Sequence, residues 1–371
     1  MKIAMIGHKI FPSRSGGVEV VVYELSTRLA KKGIDVTVYN RGLIKGKKKK
    51  DKEEGVNIVR TFTFKNQKLN AMVYSFLATF ETLTGKYDII HYHAVGICVP
   101  IFIARLFKKK TVATIHGLNW RVDKWKGFAA KYLKFGEKIA VKYADEIITL
   151  TPEMHRYFLD TYGRDTALIE NAITPVRKTD DSIIKNKFGL EKDTYIFYFG
   201  RISPEKGVLE LIEAYNKTDI EEKLVIAGEI PGNEFGEAVR STASCNDKIV
   251  FTGFATGEVL NSLYCNASLY VLPSHTEGLS LSLLEALSCG VKCLTSDIVE
   301  NTSVTGKFGM DFKTSDVDDL ARALADGLKK ERSVEEVDEQ IKYIKNNFDY
   351  DKMVERHIET YERVIRDGFY H

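Results

Sequence analysis

No apolar run in this sequence is long enough to span a membrane: the longest, Ala94 to Phe107, falls short of the ~20 residues a crossing helix needs. The start, MKIAMIGHKIF, is too short an apolar stretch for a signal peptide and passes into a glycine-containing loop. Cysteine is sparse. Cys98, Cys245, Cys265, Cys289 and Cys293 form an odd, scattered set without metal-ligand spacing, which reads as small core residues in a reducing cytosol rather than a disulfide framework. The first apolar strand, KIAMIG, is not followed by G-x-G-x-x-G, which argues against a dinucleotide-dependent dehydrogenase. His91 and His93 alternate on one strand and share a face, where they are packed, hydrogen-bonded or catalytic. No third ligand lies at a convincing spacing, so no metal is expected. The basic residues are not interleaved with aromatics on a nucleic-acid motif, and nucleic acid is not expected as a partner.

The 371 residues are 44% hydrophobic and 28% charged, ordinary for a globular protein and enough for two domains with separate cores. The net charge of +3 hides an asymmetry. Residues 1–177 carry 31 basic against 16 acidic groups, and residues 178–371 carry 23 against 35. A basic first half beside an acidic second half suggests that only the first meets an anionic surface, such as lipid. The run KGKKKKDK, Lys45 to Lys52, reads as a charged loop, either solvated or touching a lipid headgroup. The largely apolar helix expected over Leu69 to Leu83 is a core element or the wall of a lipid groove.

Strand and helix patterns alternate along the chain. Strands are expected at residues 2–7, 34–39, 56–64, 89–93, 111–116 and 144–150, then at 195–199, 223–227, 249–252 and 268–272. Helices fall between them, a linker is expected over Thr174 to Asp181, and an amphipathic helix, Tyr350 to Arg366, closes the chain. DVDD, Asp316 to Asp319, sits at a helix start, where acidic groups complement the dipole rather than bind metal.

The most informative stretch is SLYVLPSHTEGLSLSLLEALSCGVKC, Ser268 to Cys293: a strand, a turn-rich loop and a helix expected from Leu279 to Cys289. Open α/β sheets bind ligands beyond the carboxyl ends of their strands. Glu277 and Glu285 are solvated residues, or else accept hydrogen bonds from sugar hydroxyls there. The backbone N–H groups of Gly278, Leu279 and Ser280 are expected to open the helix and suit a phosphate. A second loop, FGRISPEKG, follows Gly200 with Arg201 and Lys206, two cations able to neutralise a diphosphate.

The pattern G-R-x4-K followed at a distance by E-x7-E resembles the nucleotide-sugar half of the retaining GT-B glycosyltransferases of family 4. HGLNWRVDKWKGFAAKYLKFGEKIAVKYADEIITLT, from His116, is similar to the subgroup that includes bacterial rhamnosyltransferases of cell-surface polysaccharide assembly. Asn119 replaces that subgroup's usual Asp, so no base role is carried over to it. The resemblance implies an α/β GT-B fold, two Rossmann-like domains with parallel sheets facing a central crevice. Residues 1–175, with 350–371 packing back, would bind acceptor, and residues 176–349 would bind the nucleotide sugar. It implies that Arg201 and Lys206 stabilise the departing diphosphate, that Glu277 holds sugar hydroxyls and Glu285 the nucleotide's sugar ring, and that His116 contacts the transferred sugar. Gly16, Gly17, Gly200, Gly228, Phe254, Gly278, Leu279 and Ser280 would complete the donor site. Asn119, Trp120, Arg121, Lys124 and Trp125 would line the acceptor side, or anchor and solvate a helix start. The implied donor is dTDP-L-rhamnose, with UDP- or GDP-hexoses as alternatives, and no metal or other cofactor. The implied acceptor is a polyprenyl-diphosphate-linked saccharide, met in the cytoplasm at the inner face of the membrane. A catalytically silent GT-B protein and a sugar-nucleotide epimerase of the same fold are the alternatives.

Overall fold

The computed structural model describes residues 1–42, 49–64, 67–118, 127–177 and 179–367. The chain divides into two compact units, Met1–Ala172 with Tyr350–His371, and Ile173–Asp349.

The first unit is built on eight strands: β1 Lys2–Ile6, β2 Asp35–Arg41, β3 Lys50–Glu53, β4 Val56–Thr61, β5 Ile89–His93, β6 Thr111–Ile115, β7 Glu146–Thr149 and β8 Ala167–Leu168. They lie in the order β3-β4-β2-β1-β5-β6-β7-β8, parallel throughout except for the β3–β4 pair. Continuous apolar runs such as IAMI in β1 bury both faces, as strands covered by helices on two sides must. One face packs on the helix Gly17–Lys31 and on the last helix, Tyr350–Asp367, through Val22, Leu25, Leu29, Met353, Val354 and Tyr361. The other packs on the helices Gln67–Leu83, Ile101–Leu106, Phe128–Tyr143 and Pro152–Tyr162.

Two expectations change here. Within the expected charged loop, Lys50–Glu53 is an exposed strand pairing antiparallel with β4, while residues 43–48 lie outside the described residues. An edge strand rich in charge resists pairing with a further chain. The strand expected to run to Phe64 ends at Thr61, and Phe62 and Phe64 are about half exposed.

The second unit has six parallel strands: β9 Tyr195–Phe199, β10 Lys223–Ala227, β11 Ile249–Gly253, β12 Leu269–Leu272, β13 Cys293–Ser296 and β14 Gly309–Phe312. Their order is β11-β10-β9-β12-β13-β14. The chain reverses direction across the sheet between β9 and β12, which pair through Leu269 with Ile196 and Tyr270 with Phe197. Both units are Rossmann-like α/β folds. Cys98, Cys289 and Cys293 are buried as expected, but Cys265 is only partly buried and Cys245 is exposed; none of the five is in a disulfide.

Candidate active site

The β9–β12 switch puts the two chemistry-bearing loops side by side at the carboxyl ends of their strands, where such sheets bind ligands. The first loop passes through a short turn, Pro204–Lys206, to Gly207, which holds φ +66°. A Cβ there would stand 2.0 Å from the carbonyl oxygen of Pro273 in the second loop. The loops are joined again where the His275 N–H donates to the Glu205 carbonyl at 3.0 Å.

At this junction Lys206 Nζ donates to Glu277 Oε1 at 2.6 Å, and the fully buried Ser274 hydroxyl donates to the same oxygen at 2.7 Å. Glu277 is 9% and Lys206 17% exposed, so the pair is largely withdrawn from water. A paired, hydrogen-bonded carboxylate and ammonium are the form in which buried charge persists. The Ser274 carbonyl is itself held by the Ser296 hydroxyl, which accepts from Asn301 Nδ2 at 3.0 Å. Arg201 sits differently. Its side chain is 66% exposed, with Glu205 at 3.8 Å from the guanidinium, and its carbonyl accepts from the Tyr198 hydroxyl at 2.9 Å.

The helix after β12 runs Leu281–Ser288, two residues later than expected, because Ser280 is its N-cap and accepts from the Leu283 N–H. Gly278, Leu279 and Ser280 therefore precede the first turn rather than form it. Glu285, on that helix and partly buried, neighbours Tyr264. Burial first and the Glu285 charge second push the Tyr264 phenol well above its usual range. Gly228 has a reason within the sheet: a Cβ there would lie 2.2 Å from the Gly200 carbonyl oxygen. Gly253 holds φ +70°, and Phe254 beside it is 52% exposed.

In the first unit Gly16 caps the helix Gly17–Lys31 with extended backbone, and a Cβ on Gly17 would meet open space. His116 follows β6, and its Nε2 is 3.1 Å from Nδ1 of the buried His93. His91, whose ring lies tilted against that of His93 with centroids 4.1 Å apart, has both nitrogens engaged, by the Tyr361 and Thr114 hydroxyls at 2.7 Å each. Burial, then the neighbouring His357, lowers the His116 pKa to about 4, and burial first lowers those of His91 and His93 far below the usual value. These rings are neutral at pH 7. Asn119, Trp120, Arg121, Lys124 and Trp125 lie outside the described residues. Among the described residues no cluster of three His, Cys, Asp or Glu side chains is placed to hold a metal ion.

One supporting residue, Ser274, and one contact between residues already singled out escaped the reading of the sequence. Ser274 carried a weak signal, a small hydroxyl three residues before Glu277 in a turn. The contact of His93 with His116 carried none, since adjacency of β5 and β6 sets it.

Residues 15–177 match the profile of Glycosyltransferase Family 4, and residues 180–347 that of Glycosyl transferases group 1. Together the two matches take in most of both units, and the chain belongs to the GT-B glycosyltransferases of family 4. It is 27% identical over 246 residues to the 2-deoxystreptamine N-acetyl-D-glucosaminyltransferase of Niallia circulans, covering 58% of this chain and 60% of that protein. It is also 27% identical over 364 residues to the glycogen synthase of Mycobacterium tuberculosis, covering 87% and 85%. Among solved structures, HepE of Anabaena in complex with UDP and glucose has the same fold, with TM-score 0.79 and 15% identity over 98% of this chain and 100% of that one.

Proposed function

We propose that this glycosyltransferase moves a sugar from a nucleoside diphosphate to a polyprenyl-diphosphate-linked saccharide, with retention of configuration and without a metal. The observation that carries the reading is the Lys206–Glu277–Ser274 cluster, which ties the G-R-x4-K loop to the E-x7-E loop in one partly dry site. Both bonds to Glu277 fall on Oε1, which leaves Oε2 to accept from a sugar hydroxyl. Lys206 and the exposed side chain of Arg201 supply positive charge where the diphosphate departs, the largest electrostatic demand of this transfer. The departing phosphate takes the acceptor's proton as the new glycosidic bond forms on the face it vacates. Glu285 receives the nucleotide's sugar ring, and His116 a hydroxyl of the transferred sugar. HepE, solved with UDP and glucose, supports a nucleotide sugar as donor.

The donor proposed first is dTDP-L-rhamnose, on the similarity around HGLNW; the relatives named above point to GlcNAc and glucose chemistry, so UDP-hexoses are the second arm. The basic first half is proposed to meet the inner, anionic face of a membrane, placing the enzyme in the cytoplasm. Among the described residues no helix is long and apolar enough to cross one. The test is turnover across dTDP-, UDP- and GDP-sugars with a polyprenyl-diphosphate saccharide, reading free nucleotide and elongated acceptor together. No turnover of dTDP-rhamnose removes the first donor. Interconversion of nucleotide sugars without free nucleotide replaces transfer by epimerisation, and no turnover of any donor makes the protein a silent binder.

A further inference from the structure

The helix Phe128–Tyr143 has an inner face and an outer face of opposite chemistry. Inward, Leu133, Gly136, Glu137 and Ala140 are buried, and a Cβ on Gly136 would lie 2.4 Å from the Val95 carbonyl oxygen, so the helix is seated close and its rotation about its axis is set. Its single acidic residue, Glu137, is 0% exposed and accepts from the hydroxyls of Tyr157 and Tyr162 at 2.8 and 2.5 Å. Outward, Phe128, Lys131, Phe135, Lys138 and Lys142 recur at spacings of three and four and are all exposed, a single stripe along roughly 24 Å of helix. Phe128 is 79% and Phe135 51% exposed, large apolar groups that a solvated helix would shed. Beside it packs the helix Ile101–Leu106, which ends in Leu106 and Phe107, 75% and 60% exposed, followed by the exposed Lys108.

An outer face of phenylalanine and lysine with its only carboxylate turned inward complements a surface that is anionic at the headgroups and apolar just beneath. That is the chemistry of an anionic bilayer read by an amphipathic helix lying in its plane. Lysine stems lie along apolar groups while their ammonium ends reach the phosphates.

We infer that the Phe–Lys stripe of Phe128–Tyr143, extended by Leu106 and Phe107, is the surface by which this enzyme docks on an anionic phospholipid bilayer. This deepens, and rests on, the membrane contact in the proposed function, and gives it to this helix rather than to the Lys45–Lys52 run.

The test is flotation of the full chain with phosphatidylglycerol-containing vesicles and with pure phosphatidylcholine vesicles. Wild type is expected to float with the first and not the second. Each basic side chain near an anionic surface multiplies partitioning about fivefold, so Lys131→Glu/Lys138→Glu is expected to lose about 25-fold or more. Each inserted phenyl is worth about tenfold, so Phe128→Ser/Phe135→Ser is expected to lose about 100-fold while keeping the wild-type melting temperature and nucleotide binding. Both variants floating like wild type, or binding lost only when Lys45 to Lys52 are neutralised, overturns the assignment to this helix while membrane contact stands. Failure of wild type to float on anionic vesicles overturns the surface and the membrane contact together. A stable dimer of the chain that dissociates on Phe128→Ser/Phe135→Ser gives the stripe to a second copy and overturns the proposal.

Discussion

Removing the Glu277 carboxylate should reveal how far the candidate donor site is withdrawn from water. In Glu277→Ala, Lys206 would keep its ammonium in a pocket that leaves 17% of its side chain exposed, with its 2.6 Å partner gone. Breaking a buried pair by one partner costs about 3–5 kcal/mol, and the residual exposure of Lys206 places the expectation near about 3. For a unit of this size that is a fall in melting temperature of about 6–12 °C. Lys206→Met should cost a similar amount, because Ser274 alone remains to the carboxylate. The double variant Lys206→Met/Glu277→Ala leaves no charge stranded, so its loss should be far smaller than the sum, a coupling of about 3 kcal/mol. Urea titration of the four proteins measures this cycle directly. A nucleoside diphosphate that reaches Lys206 should also recover part of the loss in Glu277→Ala, since its phosphates replace the missing carboxylate. Single losses under about 1 kcal/mol that simply add would mark the pair as an ordinary surface contact. The site would then lose the dry, preorganised charge on which the proposed chemistry depends.

Acidification should destabilise the first unit. Burial holds His8, His116 and His357 to a pKa of about 4 and keeps His91 and His93 well below their usual value, whereas the unfolded chain protonates them near 6.5. Because the unfolded state binds more protons, stability is full above pH 6.5 and falls between there and 4, by about 1 kcal/mol per histidine at pH 5.5; a urea midpoint flat from pH 7.5 to 5.5 would contradict this. His93→Ala should strand His116 Nε2 and lower kcat/KM, while His93→Asn, which keeps a polar partner, should recover part of it; equal effects would leave His93 with packing alone. Gly207→Ala should cost at least about 2 kcal/mol, since it meets both a φ of +66° and the Pro273 carbonyl, and unchanged thermal unfolding would show that the two loops are not locked there. Lys206→Met should lower kcat about 10²–10³-fold with any donor the enzyme turns over, and a change confined to KM would remove its role in the departing charge.

Much of the fold was legible because its strands are apolar runs bounded by polar or glycine residues: Ile89–His93, Tyr195–Phe199 and Lys223–Ala227 begin and end where the pattern does. Lys50–Glu53 was not, since a strand of alternating charge has no periodic signal and exists only by pairing with β4. The start at Leu281 was displaced because Leu279 carries the apolar pattern into the loop, while the cap at Ser280 decides where helical bonding begins. In the site, residue types were readable and partners were not. Lys206 and Glu277 stand 71 positions apart, and only the pairing of β9 with β12 makes them neighbours.

The return of the last helix also governs how the first unit is born. Tyr350, Met353, Val354, Tyr361 and Val364 fill the core beside β1 and β5, and Tyr361 reaches His91. On the ribosome the opening 172 residues emerge with that core unfilled, and wait for 177 intervening residues before its final piece appears. The second unit can close while the first is still incomplete. Synthesis of that last helix is thus the earliest moment at which the first unit can seal, and a chain cut short of it leaves that unit open and adhesive.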